Sequence, residues 1–496
     1  MCGVIAVSGS VSSPYEVFFG LMNLQHRGQD GAGILTVDPN RPGGFQLQKG
    51  SGLVENVFSE RSFKNLRGQA ALGHSRYATI GRDDPNFLQP FLDYTTGIGL
   101  GHNGNIVNFY SLREELVVKS KAVGGLSLES DSALILRLLT DELKNKPIEP
   151  DHVFAAIKHC MTKLVGSYSI ICVTRHGDLF GFRDPHGIRP LVFGRKTTED
   201  GEKMFALASE TVALQFLGYD QLEEVEAGSA VFVSKDGRVI VQKLDQQSSS
   251  PCMFEWVYFA RVESEFEHTP VYDARFRLGK IAAERIKKLN IKADVVVPVP
   301  ETSRISAIAI AEVLDLPFRE LLIKNRYVNR TFILEGQQSR KEAIRRKLFP
   351  ISSELAGKRC LIVDDSIVRG NTAAQIVKLV RQAGAKDVTL VSVCPQIQHP
   401  CYYGIDFPSP AELVAHGKTE EEVATELGAD RVVFQTVEGL HEAIGRKTLC
   451  TGCLTGNYPT DVESGKHFEE NRLIDRQTIA GALVSEAADV QRRPAR

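Results

Sequence analysis

Cys2, directly behind the initiator methionine, holds the most telling chemical position in this chain. With Met1 removed, one residue would carry a thiol and a free α-amine, whose reference pKa is about 8. Such an amine is partly neutral near pH 7 and can accept the thiol proton, directly or through water. Nucleophile and base would then share one residue. A second concentration of reactive groups is the run Arg359-Cys-Leu-Ile-Val-Asp-Asp-Ser-Ile-Val-Arg-Gly-Asn-Thr372. An apolar stretch ends there in two acids, Asp364 and Asp365, and a turn through Ser366, Arg369 and Gly370 follows. A helical pattern begins near Thr372, with Ala373, Ile376, Val377 and Val380 on one face. Gly384 falls where a helix-ending glycine belongs. Turn amides and a helix N-terminus offer donors and a positive dipole end to a phosphate. Two adjacent acids beside a phosphate suit ribose hydroxyls and a hydrated Mg2+.

These residues need two kinds of scaffold, and a chain of 496 residues is long enough for more than one core. The half around Cys2 is rich in short β-type runs broken by glycine: Gly3–Val7, Gly31–Thr36, Ala70–His74, Ile98–His102, Tyr168–Val173, Leu179–Arg183, Phe205–Ser209 and Ser229–Val233. Helical patterns over Ser132–Leu143 and Val153–Lys163 interrupt them. Strand runs with segregated helices predict an α+β layered domain rather than a parallel winding. The polar stretch Gln246–Ser250, followed by Pro251, reads as a surface connector. Beyond it, Asp294–Val299 and Arg359–Val363 are continuous β-branched runs, each followed by a polar turn and a helical pattern. That alternation predicts an α/β domain with a parallel sheet, which binds ligands at the carboxyl ends of its strands, where Asp364 and Asp365 fall. The expected division is a first domain over residues 2–245, a second over 246–463 and a charged tail over 464–496.

Several separated segments of the first half act together: Gln25-His-Arg-Gly-Gln-Asp30, Gly73-His-Ser-Arg-Tyr-Ala-Thr79, Gly101-His-Asn-Gly-Asn105 and Ser130-Asp-Ser132. With Cys2 they resemble the glutaminase domain of class II glutamine amidotransferases, the N-terminal-nucleophile type, over roughly Cys2 to Gly228. The resemblance implies a four-layer α+β sandwich in which Cys2 attacks the side-chain amide of glutamine. It also implies Asn103 and the Gly104 N–H as oxyanion donors, Arg76 as a fork for the substrate carboxylate and Asp131 as the partner of its ammonium. His26, His74 and His102 are read as structural.

The run ending at Thr372 resembles the signature of type I phosphoribosyltransferases for phosphoribosyl pyrophosphate (PRPP), with Asn371 where threonine is more usual. This implies PRPP contacts from Asp364, Asp365, Ser366, Arg369, Gly370, Asn371 and Thr372. In that family the turn Pro300-Glu-Thr-Ser303 would cradle pyrophosphate, and Ser303 joins Asp364 and Asp365 as a candidate to hold Mg2+. The basic stretch from Lys324 to Lys347 resembles a loop that closes over PRPP, through Lys324, Tyr327 and Arg330.

A glutaminase domain ahead of a type I phosphoribosyl fold resembles the glutamine phosphoribosylpyrophosphate amidotransferases, across about residues 2 to 460. What this implies is conversion of glutamine, PRPP and water to 5-phosphoribosylamine, glutamate and pyrophosphate, the first committed step of de novo purine synthesis. It implies AMP and GMP as feedback inhibitors and a homotetramer or homodimer. Ammonia moving between two sites needs a protected path, and Tyr258 and Phe259 fit either its wall or ordinary interface packing. The alternative is a PRPP-binding regulatory protein with a vestigial glutaminase domain; intact Cys2, Asn103 and Asp131 speak against it.

Cys450-Thr-Gly-Cys453 is a C-x-x-C, with Cys252 and Cys401 far away in sequence. On spacing alone it fits half a zinc site or spare thiols. One branch of the amidotransferase family binds a [4Fe–4S] cluster through four cysteines in matching contexts. The resemblance therefore implies a structural cluster on Cys252, Cys401, Cys450 and Cys453. Cys160, Cys172, Cys360 and Cys394 sit in apolar runs and read as core. A formal net charge of −2 without a basic block argues against nucleic acid as a partner. No apolar run is long enough for a bilayer, and the N-terminus has no leader pattern, so a cytoplasmic protein is expected.

Overall fold

Strand β1 (Gly3–Ser8) sets the layering of the first half of the protein in this computed structural model. Its residues alternate between two apolar cores, Val4 and Ala6 on one face and Ile5 and Val7 on the other, as the two-residue period of a strand requires. Helix α1 (Ser13–Asn23) covers the second face through Val17 and Leu21. The structure describes residues 1–38, 43–78, 84–119, 130–245, 247–325, 348–407 and 409–471. They divide into two units. The first is Met1–Pro251, with the segment Tyr402–Asp406 and the described residues from Tyr458 onward. The second is Cys252–Cys401 with Phe407–Asn457.

In the first unit, β1 lies in a seven-stranded antiparallel sheet. Its order is Gln221–Glu224, Val192–Thr197, Lys203–Ala208, β1, β2 (Ala70–Arg76), Gly31–Val37 and Phe45–Ser51. A six-stranded antiparallel sheet runs Phe91–Asp93, β3 (Ile98–Ile106), β4 (Gly166–Thr174), Leu179–Arg183, Ser229–Val233 and Val239–Lys243. Leu35, Leu72, Ile171 and Val173 fill the core between the sheets. Helices α2 (Asp131–Leu143) and Pro150–Lys163 cover the outer face of the second sheet. The result is the expected helix–sheet–sheet–helix sandwich. The eight strands named from the sequence match to within a few residues. The strands Phe45–Ser51, Phe91–Asp93, Val192–Thr197, Gln221–Glu224 and Val239–Lys243 and the helices α1, Phe109–Lys119 and Thr211–Phe216 are not among those named. Tyr15, Phe19 and Met22 leave α1 with apolar residues on its solvent side, which blurs its helical period.

The second unit is built on a parallel sheet of Val295–Pro298, β5 (Arg359–Asp364), Asp387–Ser392 and Arg431–Phe434. Val295, Val297, Cys360 and Ile362 share a core with Ile376, Val377 and Val380 of helix α3 (Asn371–Gln382). Strands buried in this way read as unbroken apolar runs. Among the described residues no helix is long and apolar enough to cross a membrane.

Candidate active site

Cys2 enters β1 beside the end of β2. Its Sγ accepts a hydrogen bond from the Tyr77 N–H at 3.5 Å. Its own N–H, a peptide amide while Met1 is present, donates to Asn103 Oδ1 at 3.1 Å. That bond fixes which way the Asn103 amide faces. Asn103 is fully buried, and its Nδ2 has no hydrogen-bond partner among the described residues. A buried donor left unmade costs about 1–3 kcal/mol, so this NH2 is held in readiness for an acceptor. Gly104 follows with φ +151°, and a Cβ there would lie 2.0 Å from the Ser167 carbonyl oxygen. Only glycine fits this backbone.

A cavity of about 90 Å3 opens beside Cys2, lined among others by Arg76, Gly104 and Asp131. Arg76 ends β2 with its guanidinium 5.5 Å from the Phe87 ring centre. Burial weakens its hold on a proton, while Cys2, Asp30, Asp84 and Asp131 act in the opposite direction. Asp131 is the first residue of α2, capped by Ser130, where the helix dipole favours a carboxylate. Its Oδ2 lies 3.7 Å from His102 Nδ1. The structure thus gathers Cys2, Arg76, Gly104 and Asp131 around one pocket, with Asn103 behind it. His74 is fully buried and donates through Nε2 to the His102 carbonyl oxygen, 3.2 Å away. Burial pushes its pKa down to about 3, so it is neutral at pH 7.

The cradle of the second unit is more local. Asp364 ends β5, and the Asp365 N–H donates to its Oδ1 at 2.9 Å. The Ser366 hydroxyl donates to Asp365 Oδ1 at 2.7 Å. Both acids are half-buried. Burial and then the Asp365 charge raise Asp364; burial raises Asp365 to about 6 against the Ser366 hydrogen bond and the Arg275 charge. A cation or hydroxyl donors would relieve this repulsion. Gly370 caps α3 at φ +73°, and Asn371 and Thr372 are exposed at its first turn. Arg369 is exposed, 3.7 Å from Glu412. Ser303 is fully buried and its hydroxyl donates to the Val299 carbonyl at 2.5 Å. That bond braces the turn. Lys324 is exposed on the short strand Leu322–Lys324, while Tyr327 and Arg330 lie outside the described residues.

Cys252, Cys401, Cys450 and Cys453 are all buried in the second unit, and Cys252 pairs with Cys450 in a parallel β-bridge. Burial pushes the Cys453 thiol well up, and Cys401, Cys450, Cys252 and Cys394 push it further. The four therefore share one neighbourhood. Even so, among the described residues no group of three or more His, Cys, Asp or Glu side chains is arranged to hold a metal ion. Cys160, Cys172, Cys360 and Cys394 are core residues as expected.

Sequence reading missed several supporting residues. Arg27 donates to the Cys2 carbonyl at 3.1 Å and to Glu210 at 2.6 Å, and His26 meets the same Glu210 oxygen at 2.6 Å. Burial alone would raise Glu210, but the charges of His26 and Arg27 outweigh it and hold the carboxyl below its usual range. Arg275 donates to the carbonyls of Trp256 at 2.8 Å and Ala260 at 2.7 Å, bracing the π-turn Glu255–Phe259. Arg27 lay inside a recognised motif; Glu210 and Arg275 carry no local signal.

Comparison with known proteins finds a counterpart for each half of the chain. Residues 74–216 match a glutamine amidotransferase domain model and residues 271–404 a phosphoribosyl transferase domain model. The chain is 41% identical over 451 residues to the amidophosphoribosyltransferase of Escherichia coli K12, covering 90% of this chain and 88% of that protein. A solved structure of the allosteric regulatory enzyme of purine biosynthesis is similar, with a TM-score of 0.83, 36% identity and coverage of 93% of this chain and 97% of that one. The Bacillus subtilis glutamine PRPP amidotransferase, solved with ADP and GMP, gives a TM-score of 0.81 and 36% identity over 93% of this chain and 98% of that one.

Proposed function

Because the chain belongs to the amidophosphoribosyltransferase family, and so uses glutamine to amidate PRPP in the first step of purine biosynthesis, we propose that residues 2–245 release the ammonia and residues 246–463 consume it. The Cys2 thiol attacks the carboxamide carbon of glutamine. Its proton passes to the α-amine freed by loss of Met1, directly or through water. Asn103 Nδ2 and the Gly104 N–H hold the oxyanion. Collapse expels ammonia and leaves a Cys2 thioester, which water cleaves to glutamate. Arg76 binds the substrate carboxylate and Asp131 its ammonium. The observation that carries this reading is the buried Asn103 amide, its oxygen engaged by Cys2 and its NH2 without an acceptor among the described residues.

In the second half, Asp364 and Asp365 accept hydrogen bonds from the ribose hydroxyls. Ser366, Arg369, Gly370, Asn371 and Thr372 hold the 5′-phosphate through amides, hydroxyls and the guanidinium. Ammonia bonds to ribose C1 as the C1–O bond to pyrophosphate breaks, giving 5-phosphoribosylamine. Mg2+ bound with PRPP beside the two acids would supply neutralising charge for the departing pyrophosphate. Lys324, Tyr327 and Arg330 belong to the loop that closes over PRPP. Cys252, Cys401, Cys450 and Cys453 are read as ligands of a structural [4Fe–4S] cluster, supported by their sequence contexts and shared neighbourhood. Feedback by AMP and GMP is supported by the Bacillus subtilis relative's complex with ADP and GMP. A homotetramer or homodimer in the cytoplasm completes the reading. A PRPP sensor with a vestigial glutaminase finds no support in a pocket that keeps Cys2, Asn103 and Asp131.

The test is pyrophosphate release with PRPP, Mg2+ and glutamine, each omitted in turn. Release should need PRPP and a nitrogen source, with glutamate formed alongside. Release that is indifferent to glutamine and ammonium would remove the proposal.

A further inference from the structure

One wall of the pocket beside Cys2 comes from far along the chain. Gly404 and Phe468 line it together with Cys2, Arg76 and Asp131. Gly404 lies in the segment Tyr402–Asp406, which belongs to the first unit although its sequence neighbours on both sides belong to the second. The segment is fastened through its backbone. Asn105 Nδ2 donates to the Tyr402 carbonyl at 2.8 Å, across 297 positions of sequence. The Tyr403 carbonyl receives Ser167 Oγ at 3.0 Å and Arg189 Nε at 3.1 Å, and Arg189 Nη2 donates to the same oxygen. Ser167 and Arg189 are fully buried. A guanidinium donating to a carbonyl away from water is a strong tether.

The strap meets the oxyanion strand at one peptide. Gly404 has φ +94°, and a Cβ on it would lie 3.0 Å from the Gly104 oxygen and 3.5 Å from Asn105 Cβ. The Gly404 backbone leaves no free room beside the Gly104 oxygen, and the Tyr402 carbonyl takes the Asn105 side-chain amide, so the strap limits the Gly104–Asn105 peptide, which is joined through the Gly104 Cα to the peptide that carries its N–H. Gly104 needs such restraint. A glycine backbone rotates more freely than any other, and a small rotation at Gly104 would swing its N–H off the developing oxyanion.

We propose that Tyr402–Gly404 is a positioning element of the glutaminase: it touches no reacting atom and keeps the Gly104 N–H aimed at the oxyanion. The inference rests on the reading of Cys2, Asn103 and Gly104 given above. It adds that the glutamine site is incomplete without this strap.

The test uses the full-length protein with Gly404→Ala and, separately, Asn105→Ala. Glutamine-dependent and ammonium-dependent pyrophosphate release are measured, with the glutamine KM and the rate at which a diazoketone analogue of glutamine labels Cys2. Each variant should lower the glutamine-dependent kcat by about tenfold or more and slow labelling. The glutamine KM should move less than about threefold, because Arg76 and Asp131 still bind the substrate. Ammonium-dependent turnover, which bypasses this pocket, should stay near wild type in both variants, and the melting temperature should stay near wild type in Asn105→Ala, while the positive φ makes some loss of melting temperature expected in Gly404→Ala. Unchanged glutamine kcat in both variants, or equal loss with both nitrogen sources, would overturn the proposal. Retained glutamine turnover in Cys2→Ala would instead overturn the reading beneath it.

Discussion

The pocket beside Cys2 draws its residues from the chain just ahead of β1, from β2, β3, the start of α2 and the returning strap, whereas the cradle proposed for PRPP takes most of its residues from β5, one turn and the start of α3. In the cradle, local backbone geometry sets the distances: a strand end, a positive-φ glycine and a helix N-terminus follow one another in the chain. In the pocket, distances depend on the register of two sheets, such as Gly3 opposite Ser75 and Gly104 opposite Tyr168. An assembled site is exposed to disturbance from many places, while a contiguous one answers mainly to its own residues. Variants that separate the two nitrogen sources sharpen that contrast.

The largest effect short of removing the nucleophile is expected from Asn103→Ala. Loss of one oxyanion donor should lower glutamine-dependent kcat by about 10²–10³ while ammonium-dependent turnover persists. A drop of under threefold would take Asn103 out of the hole. Asp365→Asn should act differently, lowering PRPP turnover with either nitrogen source by roughly ten- to a hundredfold, because a charge beside the ribose is lost. Loss confined to glutamine would break the separation of the sites.

Next is the cysteine neighbourhood. Protein purified without oxygen should be brown and contain about four irons per chain, and Cys450→Ser should lose both colour and iron. Stoichiometric zinc without iron would contradict the cluster.

The smallest effect concerns His74. The unfolded chain titrates near 6.5, whereas the native histidine is pushed down to about 3. Between those values the unfolded state binds the proton more tightly, so stability falls as pH falls, by at most about 1.4 kcal/mol per pH unit. His74→Gln should flatten the decline of melting temperature between pH 6.5 and 4. Identical slopes would show that His74 is not the buried neutral group assigned here.

The same contrast explains what could be read from sequence. The cradle was legible because Asp364 to Thr372 carries its geometry in order. Cys2, Arg76, Asn103 and Asp131 were each ambiguous and gained meaning only together, through the resemblance. The bond from the Ser303 hydroxyl to the Val299 carbonyl, inside its turn, is one that sequence does not display. Glu210 and the Tyr402–Gly404 strap were invisible, since their partners, Arg27 and Asn105, are far from them in the chain. Continuous strands and the helix over Asn371–Gln382 followed from pattern, whereas α1, apolar on both sides, did not.

Separate sites for freeing and for using nitrogen should show in pyrophosphate release from PRPP by Cys2→Ala, with glutamine or with ammonium chloride as the nitrogen source. Turnover should vanish with glutamine and stay near wild type with ammonium. Equal loss with both sources, or surviving glutamine turnover, would contradict that separation.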